Sequence, residues 1–394
     1  MIEDITAGRE IHVRIPFTHV RQFKKHLLQQ MLPFEILIND VQEVLDQNFV
    51  IEPKNQKVSL SNYDYTKYHP MEEIYDWMKQ IEEKHSDLVK MHYLGSTFET
   101  RPIYYFKIGW PSDKTKKIVF MDCGIHAREW IAVAYCQWFV KEILLNHKDP
   151  LLTNILTQVD FFVVPVLNID GYVYSWTTER LWRKNRTPHN NGTCYGVDLN
   201  RNFNSAWCTV GASTNCSSLT FCGSAPESER ETKAVVSLIE KTKKNILFYL
   251  GIHSYGQYIL LPYGSTKNHS ANHKEMMDVA EKAVADLKEK HNNLYKVGPS
   301  SVVLYENSGS TCDWAADIGI KFSYIFELRD NGTYGFQLPK EQIRPTCEET
   351  MTAVMSMMEY ANKMYLDNSA VAATFIGRNV LFLCAVCVYY VSMY

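Results

Sequence analysis

The sequence of 394 residues lacks several features that would place it in a common functional class. It has no Gly-x-Ser-x-Gly motif and no phosphate-binding Gly-x-x-x-x-Gly-Lys motif, which disfavours a serine esterase and a nucleotide-dependent enzyme. It also has no excess of charge of either sign, since the formal net charge is −3. Because the basic residues are dispersed, nothing indicates a nucleic-acid partner.

Two further absences concern export and cysteine chemistry. Residues 1–9 have neither a basic start nor a sustained apolar run, so they do not read as an export signal. No Cys-x-x-Cys pair precedes the apolar tail, where Cys384 and Cys387 have that spacing. This pattern disfavours a zinc-knuckle protein. Most of the ten cysteines must therefore have a function other than zinc binding in such a motif.

What the sequence does contain is a histidine and a carboxylate three positions apart, His126 and Glu129. A second histidine, His253, follows far downstream. Two imidazoles and one carboxylate leave a fourth tetrahedral position open, which is the ligand set of a hydrolytic zinc centre. The spacing alone is not specific, because His69 and Glu72 repeat it at a predicted helix start. His253 could equally be a hydrogen-bonded histidine of the core.

The surroundings of these residues indicate the fold. Four apolar, β-prone runs each end before polar groups: Lys117–Asp122 before His126, Val159–Val166 before Asn168 and Asp170, Ile246–Leu250 before His253, and Phe322–Phe326 before Glu327. In open α/β sheets, ligands bind beyond the carboxyl ends of the strands. We therefore expect these groups to meet at one edge of a sheet.

Helical stretches alternate with these strands and complete the predicted fold class. They are Ala132–Leu145, Glu229–Lys241, Lys274–His291 and Glu348–Leu366. The alternation predicts one large α/β domain, with a mixed, mainly parallel twisted sheet flanked by helices on both faces.

From Tyr63 to about Asp367 the sequence resembles the zinc carboxypeptidases of the A/B type. Five stretches carry the resemblance: His126–Trp130, Leu181–Lys184, Gly196–Phe203, His253–Tyr255 and Phe326–Asp330. Two more, Asn146–Asp149 and Pro188–Cys194, are similar to a branch with arginine at the floor of the specificity pocket. The resemblance implies one Zn²⁺ per chain, held by His126, Glu129 and His253. It also implies an exopeptidase that removes single amino acids from the C-termini of peptides and proteins.

The resemblance assigns a role to each remaining site residue. Glu327 would be the general base that activates a zinc-bound water, and Arg183 would polarise the scissile carbonyl. Three residues would clamp the terminal carboxylate of the substrate: Asn200, Arg201 and Tyr305. Arg128 would add positive potential in the neighbouring subsite. Taken singly, each residue could be an ordinary ion-pair or core residue. The alternative function is a zinc-binding protein that holds peptide C-termini without cleaving them, and the presence of Glu327 argues against it.

Substrate preference depends on the floor of the pocket that receives the terminal side chain. In the family, an aliphatic floor suits apolar residues, aspartate suits Lys and Arg, and arginine suits Glu and Asp. The matching residue here is Cys312, and the other matching positions are uncharged: Gly251, Leu260, Gly264, Ser300, Leu304, Asn307, Ser310 and Ile325. A buried acidic side chain without a cationic partner is disfavoured, so we predict a neutral or apolar preference instead of an acidic one. Cys312 could also be a sensitive thiol or approach Cys347.

Cysteines and sequons together predict the secretory route. The resemblance implies three disulfides: Cys123–Cys136, Cys194–Cys216 and Cys208–Cys222. Asn-x-Ser/Thr sequons begin at Asn185, Asn191, Asn215, Asn268 and Asn331, and Asn191 reads as an exposed turn. We expect a leader upstream of Met1; the alternative is an isoform that is not exported.

The N-terminal part, residues 1–62, resembles a partial activation domain and its linker. The pattern predicts a strand His12–Pro16, a helix Val20–Gln30, a strand Phe34–Ile38 and a helix Val41–Asp46. Counterparts of the family's first strand and helix are missing, so we expect a truncated α+β remnant that covers the cleft poorly.

Residues 63–367 form the predicted catalytic domain, and residues 368–394 form a spacer and an apolar tail. Val380–Tyr394 is shorter than the ~20 residues that span a bilayer. Small residues, a spacer and a terminal apolar segment are typical of a glycosylphosphatidylinositol signal, with attachment at Asn368, Ser369 or Ala370. We expect a monomer on the extracellular face of the plasma membrane, or a secreted protein. A disordered tail or a marginal membrane helix is the alternative.

Overall fold

The computed structural model describes residues 11, 13–40, 42–43 and 59–366. The α-helices of this part are α1 (Phe17–Gln29), α2 (Met71–Lys84), α3 (Trp130–Leu145), α4 (Pro150–Gln158), α5 (Ile169–Thr177), α6 (Arg230–Thr242), α7 (His273–His291), α8 (Ser300–Val303), α9 (Thr311–Asp317) and α10 (Ile343–Ala361). The strands are β1 (Val89–Ser96), β2 (Pro102–Ile108), β3 (Lys117–Cys123), β4 (Val159–Val164), β5 (Pro188–His189), β6 (Cys194–Tyr195), β7 (Ile246–Ser254), β8 (Tyr258–Leu261), β9 (Lys296–Pro299) and β10 (Phe322–Leu328).

Eight of these strands form one sheet, in the order β1-β2-β4-β3-β7-β10-β8-β9. Its centre, β4-β3-β7-β10, is parallel throughout. Antiparallel pairing joins β1 to β2, β2 to β4 and β8 to β10. This is the mixed, mainly parallel sheet that the alternation of strands and helices predicts.

The central strands are continuous apolar runs because helices cover both faces of the sheet. Every residue of β4 and β7 is buried. Helix α3 is buried over most of its surface, as expected for a helix that is apolar all round. The parallel centre therefore forms a rigid platform whose carboxyl edge carries the polar residues.

The predicted elements of the large domain are present, with shifted ends. Two shifts bear on the site, because β7 continues past Leu250 to include His253, and β10 continues past Phe326 to include Glu327. A strand is defined by its backbone pairing, which a polar side chain at the sheet edge does not interrupt. Strands β1, β2, β8 and β9 were not predicted.

The N-terminal segment differs from its prediction. Helix α1 corresponds to the predicted helix from Val20 to Gln30, but the two predicted strands were wrong: residues 13–16 and 34–38 form no strand. Within the described part these segments have no neighbouring strand to take their backbone hydrogen bonds. Helix α1 buries no side chain, and Arg14 reaches the large domain by donating to Glu179 across 2.7 Å.

Several predictions lie outside the described residues. They concern His12, most of the helix predicted from Val41, the linker up to residue 58, and residues 367–394 with the predicted attachment site. Among the described helices, none has the length and apolar character needed to cross a membrane.

Candidate active site

A tight turn after β3 brings His126 and Glu129 together. Gly124 has φ +65°, and a Cβ there would lie 2.8 Å from the Val133 side chain, so only glycine fits this turn. The chain then passes through His126 and enters α3 with Glu129 at the N-cap position. The carboxylate of Glu129 does not cap the helix. It is directed instead towards the histidine three residues earlier.

His253 and Glu327 come from neighbouring parallel strands. They are register partners, His253 on β7 and Glu327 on β10. Register partners in a parallel pair point to the same face of the sheet. Both residues also lie at the carboxyl ends of their strands, which is the edge reached by His126.

The two imidazoles and the Glu129 carboxylate converge as predicted. Nδ1 of His126 lies 2.7 Å from Oε1 of Glu129, and Nδ1 of His253 lies 3.1 Å from Oε2. The two Nδ1 atoms are 3.1 Å apart. All three ligand atoms lie within 4.8 Å of one another, and all three residues are buried.

This donor set fits a zinc ion. Ligand atoms about 2.0–2.2 Å from one tetrahedral cation lie roughly 3.3 Å from each other, close to the observed separations. Burial alone would raise the pKa of the Glu129 carboxyl, but the imidazoles of His126 and His253 hold that pKa below its ordinary range. The carboxylate is therefore ionised and ready to bind a cation.

Asp198 supports the cluster and was missed by the sequence analysis. Its Oδ1 lies 3.1 Å from Nε2 of His126, and its Oδ2 accepts a hydrogen bond from Nε of Arg183 at 3.0 Å. A proton on Nε2 leaves the Nδ1 lone pair of His126 facing the other ligands. Burial opposes ionisation of Asp198, but Arg183, His126 and Arg201 hold its pKa well below the ordinary range. The signal was present, since Asp198 lies in the stretch Gly196–Phe203.

Asn168 and Asp170, which the strand pattern also directed to this edge, have different functions. The side-chain amide of Asn168 donates to the carbonyls of Ile125 and Arg183 at 3.1 and 3.3 Å, which ties together the two loops of the site. Asp170 points elsewhere and pairs with Arg101 at 2.6 Å. Only the first of these residues contributes to the geometry of the cluster.

The predicted catalytic and substrate-binding residues line one cleft of about 710 Å³ together with two of the cluster residues. These residues are His126, Arg128, Glu129, Arg183, Asn200, Arg201, Tyr305, Cys312 and Glu327. Nη1 of Arg183 lies 3.9 Å from Oε1 of Glu129, so its positive charge is adjacent to the cluster. Arg128 is fully buried, with its guanidinium 3.8 Å from the centre of the Phe336 ring.

Two residues of the predicted carboxylate clamp, Asn200 and Arg201, are held by contacts with the backbone. Arg201 donates from Nε to the Gly211 carbonyl at 2.7 Å and from Nη1 to the Asn200 carbonyl at 2.9 Å. Asn200 in turn accepts a hydrogen bond from the Thr311 amide at 2.9 Å. The guanidinium lies 5.9 Å from the centre of the Tyr305 ring. The hydrogen bonds fix Asn200 and Arg201 before any ligand arrives.

Cys312 lies at an apolar end of the cleft. It is buried and packs with Leu260 and Ile325. Burial raises the pKa of its thiol, so the side chain is neutral. The carboxylate of the neighbouring Asp313 accepts hydrogen bonds from the Gly264 and Ser265 amides at 2.9–3.1 Å, and Asp313 is not among the residues that line the cleft. Its negative charge adds to burial in raising the pKa of the Cys312 thiol.

The remaining pocket positions divide into two groups. Those that line the cleft are Leu260, Ser300, Leu304, Asn307, Ser310 and Ile325. Gly251 and Gly264 provide space behind them: a Cβ would lie 2.7 Å from Ile325 at the first and 2.6 Å from Asn307 at the second. Cys347 is buried in the main core, and neither it nor Cys312 is in a disulfide.

Three disulfides are present in the structure, at the pairings implied by the resemblance. They are Cys123–Cys136, Cys194–Cys216 and Cys208–Cys222. Among the sequons, Asn185 is fully buried, and its amide donates to Glu229 at 2.7 Å. The other four are exposed: Asn191, Asn215, Asn268 and Asn331.

Comparison with known proteins agrees with this geometry. Residues 74–353 match the family model "Zinc carboxypeptidase", and residues 2–48 match "Carboxypeptidase activation peptide". The chain is 61% identical over 314 residues to carboxypeptidase O of Homo sapiens, a match that covers 79% of this chain and 84% of the relative. It is 59% identical over 331 residues to carboxypeptidase O of Bos taurus, covering 84% and 87%.

Solved structures show the same fold. Thrombin activatable fibrinolysis inhibitor has 40% identity and a TM-score of 0.86, with 91% of this chain and 90% of that chain covered. Carboxypeptidase A from Helicoverpa armigera has 26% identity and a TM-score of 0.80, covering 90% and 88%. Taken with the convergent His-Glu-His cluster, these matches show that the chain belongs to the zinc carboxypeptidase family and is a metallocarboxypeptidase, a hydrolase of C-terminal peptide bonds.

Proposed function

We propose that this enzyme releases one neutral or apolar amino acid at a time from peptide C-termini, with Glu327 and Arg183 as its catalytic residues. The observation that carries the proposal is the placement of Glu327 beside His253, in a cleft that also holds a buried arginine clamp and an uncharged floor. His126, Glu129 and His253 would hold the zinc ion. When bound, zinc supplies a Lewis acid and lowers the pKa of water towards neutrality.

The chain's own residues move the protons and hold the developing charge. Glu327 accepts a proton at its carboxylate from the attacking water and returns that proton to the nitrogen of the leaving amine. The guanidinium of Arg183 donates hydrogen bonds to the scissile carbonyl oxygen as negative charge develops there. Asp198 keeps this guanidinium in place through the 3.0 Å contact to its Nε.

The clamp explains exopeptidase action. A guanidinium can bind a carboxylate with two parallel hydrogen bonds, and the Asn200 and Tyr305 side chains lie in the same cleft as Arg201. An internal peptide bond offers no carboxylate at this position. The terminal residue alone therefore lies beyond the scissile bond.

The floor of the pocket favours neutral terminal residues. Cys312, Leu260 and Ile325 form an apolar cluster around a protonated thiol. An acidic terminal side chain would lose its hydration there without gaining a cationic partner. Burying an unpaired charge in this way costs on the order of several kcal/mol. An acidic preference of the kind found where the floor is arginine is therefore disfavoured.

We further propose that the enzyme works outside the cell, either secreted or held at the membrane by a lipid anchor at Asn368, Ser369 or Ala370. The three disulfides support an oxidising compartment. Release of the protein from intact cells by a phosphatidylinositol-specific phospholipase would test the anchor. Protein that stays bound to the cells after this treatment would contradict it.

The activity is tested with blocked dipeptides that end in Phe, Leu, Glu or Lys, each also prepared as the C-terminal amide. We expect release of the neutral residues, resistance of every amide, one zinc per chain by elemental analysis, and loss of activity with a chelator. Zinc binding without any release of amino acids would support the non-catalytic alternative. Fastest turnover of the Glu substrate would refute the proposed preference.

A further inference from the structure

One of the exposed sequons lies at the rim of the active-site cleft. Asn331 lines the cleft, whereas the other exposed sequons, Asn191, Asn215 and Asn268, do not. It follows Glu327 by four residues, just beyond the end of β10. Its partner in the sequon, Thr333, is exposed as well.

The loop that carries this sequon is held firmly. The Asp330 carboxylate accepts hydrogen bonds from the amides of Gly332, Tyr334 and Gly335 at 2.7–3.0 Å. Phe336, at the far end of the loop, packs against Tyr255 with ring centres 4.8 Å apart. A group attached to Asn331 would therefore project from a fixed point on the rim.

Contacts place this rim next to Arg128. The Arg128 guanidinium stacks on Phe336, and Arg128, Phe336 and Asn331 all line the cleft. The apolar floor is formed by other elements, with Cys312 on α9 and Leu260 on β8. A substituent on Asn331 would thus affect how the rest of the substrate approaches, while the terminal-residue pocket keeps its own lining.

We propose that Asn331 carries an N-linked glycan that stands over the entrance to the cleft and restricts the approach of bulky protein substrates. The inference rests on the extracellular location proposed above. When the oligosaccharide is transferred from its lipid carrier to the protein, the Asn331 side-chain nitrogen forms a bond to the anomeric carbon of the sugar. The carbon–oxygen bond to the lipid diphosphate breaks, and the diphosphate leaves with that electron pair and takes up the proton that the amide loses.

Asn331 is exposed, whereas Asn185 belongs to a sequon that cannot carry a glycan in this fold. Asn185 is fully buried, and its amide donates to Glu229 and to Thr187 at 2.7 and 3.1 Å. A bulky polar sugar at that nitrogen would break both hydrogen bonds and displace the core around it. Asn331 meets no such obstacle, because both it and Thr333 are exposed.

Occupancy is measured by mass spectrometry. The full chain is expressed in mammalian cells behind a secretory leader, then treated with peptide-N-glycosidase in heavy-oxygen water and digested with trypsin. The peptide from Asp330 to Lys340 should contain a labelled aspartate in place of Asn331. A parallel digest without the glycosidase corrects for spontaneous deamidation of the Asn331-Gly332 pair. Recovery of this peptide as unlabelled asparagine overturns the proposal.

Two substitutions of Thr333 distinguish the effect of losing the sequon from the effect of changing the loop. Thr333→Ala should lose the label at position 331, and Thr333→Ser, which preserves the sequon, should keep it. Because occupancy is read by mass, the result does not depend on hydrolysis. Failure of the proposed function would instead appear as inactivity towards blocked dipeptides.

The effect on access is measured by kinetics. Thr333→Ala should raise kcat/KM for a folded protein substrate and leave kcat/KM for a blocked dipeptide unchanged. Enzymatic removal of glycans from the wild type should give the same increase, and it should give none in Thr333→Ala. Equal kcat/KM of the wild type and Thr333→Ala on the protein substrate would overturn the role in access.

Discussion

His253 and Glu327 are register partners on adjacent parallel strands. The backbone hydrogen bonds between the two strands therefore fix the separation of a zinc ligand and the proposed general base. Neighbouring strands in a sheet are held about 4.8 Å apart. The proposed base is therefore positioned by paired central strands of the sheet. A mobile loop would not give the same precision.

Replacing Glu327 with glutamine should abolish most catalysis while sparing the metal site. The amide cannot accept the proton, so we expect kcat to fall roughly 100- to 10,000-fold, the usual range for a general base. Zinc content, measured by elemental analysis, should stay at one per chain. Glu289→Gln, at an exposed residue of α7 that does not line the cleft, is the matched control and should retain full activity. Undiminished turnover in Glu327→Gln would assign the proton transfer to another group.

Asp198→Asn should weaken zinc binding without touching a ligand. The carboxylate contacts Nε2 of His126 and the Arg183 guanidinium, so its loss loosens both. Carboxylates behind metal-binding histidines typically account for roughly 10- to 100-fold in metal affinity. Competition with a fluorescent chelator measures the change.

Asp170→Asn is the matched control for this prediction. Asp170 is equally buried, but it pairs with Arg101 and makes no contact with the cluster. We expect this variant to lower stability and to leave zinc affinity unchanged. Similar losses of affinity in both variants would show that the Asp198 effect comes from general destabilisation.

The contrast between Asp198 and Glu327 shows what the sequence could and could not predict. Glu327, His253 and His126 each follow an apolar run, so local patterns were enough to place them at one edge of the sheet. Asp198 follows no such run; it lies on a loop held by disulfide-linked segments, and its partner His126 is 72 positions away. Contacts between distant loops depend on tertiary packing, which no local period encodes.

Strand prediction failed for a related reason. Strands β8 and β9 are four residues each, too short to show a period. They form only in the folded sheet, where β8 pairs with β10 and β9 pairs with β8. Conversely, Phe34–Ile38 has the composition of a strand but no partner within the described residues. Pairing, not composition, decided both cases.

Changing Cys312 should redirect substrate preference. Cys312→Arg places a cation at the floor, so hydrolysis of a blocked dipeptide ending in Glu should rise relative to Leu. Cys312→Asp should favour Lys in the same assay. Cys312→Ser is the conservative control and should keep the neutral preference. If the wild type already prefers Glu and Cys312→Arg changes nothing, the floor lies elsewhere.

Glu231 should make stability depend on pH in an unusual direction. Burial, followed by the nearby charges of Glu229 and Asp170, raises the pKa of its carboxyl from 4.5 to about 8. The folded protein then keeps a proton that the unfolded chain releases above pH 4.5. The stabilisation from this bound proton is complete below pH 4.5 and is lost as the pH rises towards about 8. Between these two values the free energy of unfolding falls by up to about 1.4 kcal/mol for each pH unit.

Glu231→Gln removes this titration and tests the direction. Urea unfolding of the wild type and the variant between pH 5 and pH 8 should show a gap in unfolding free energy that moves in the variant's favour as the pH rises. Any cost of the new amide, whose nitrogen would take the place of a carboxyl oxygen that lacks a hydrogen-bond partner in the structure, shifts the variant by a constant amount and leaves the slope intact. The matched substitution Glu289→Gln keeps the buried carboxyl and should reproduce the wild-type slope. Parallel curves for Glu231→Gln and the wild type would show that the carboxyl is already ionised in the folded protein.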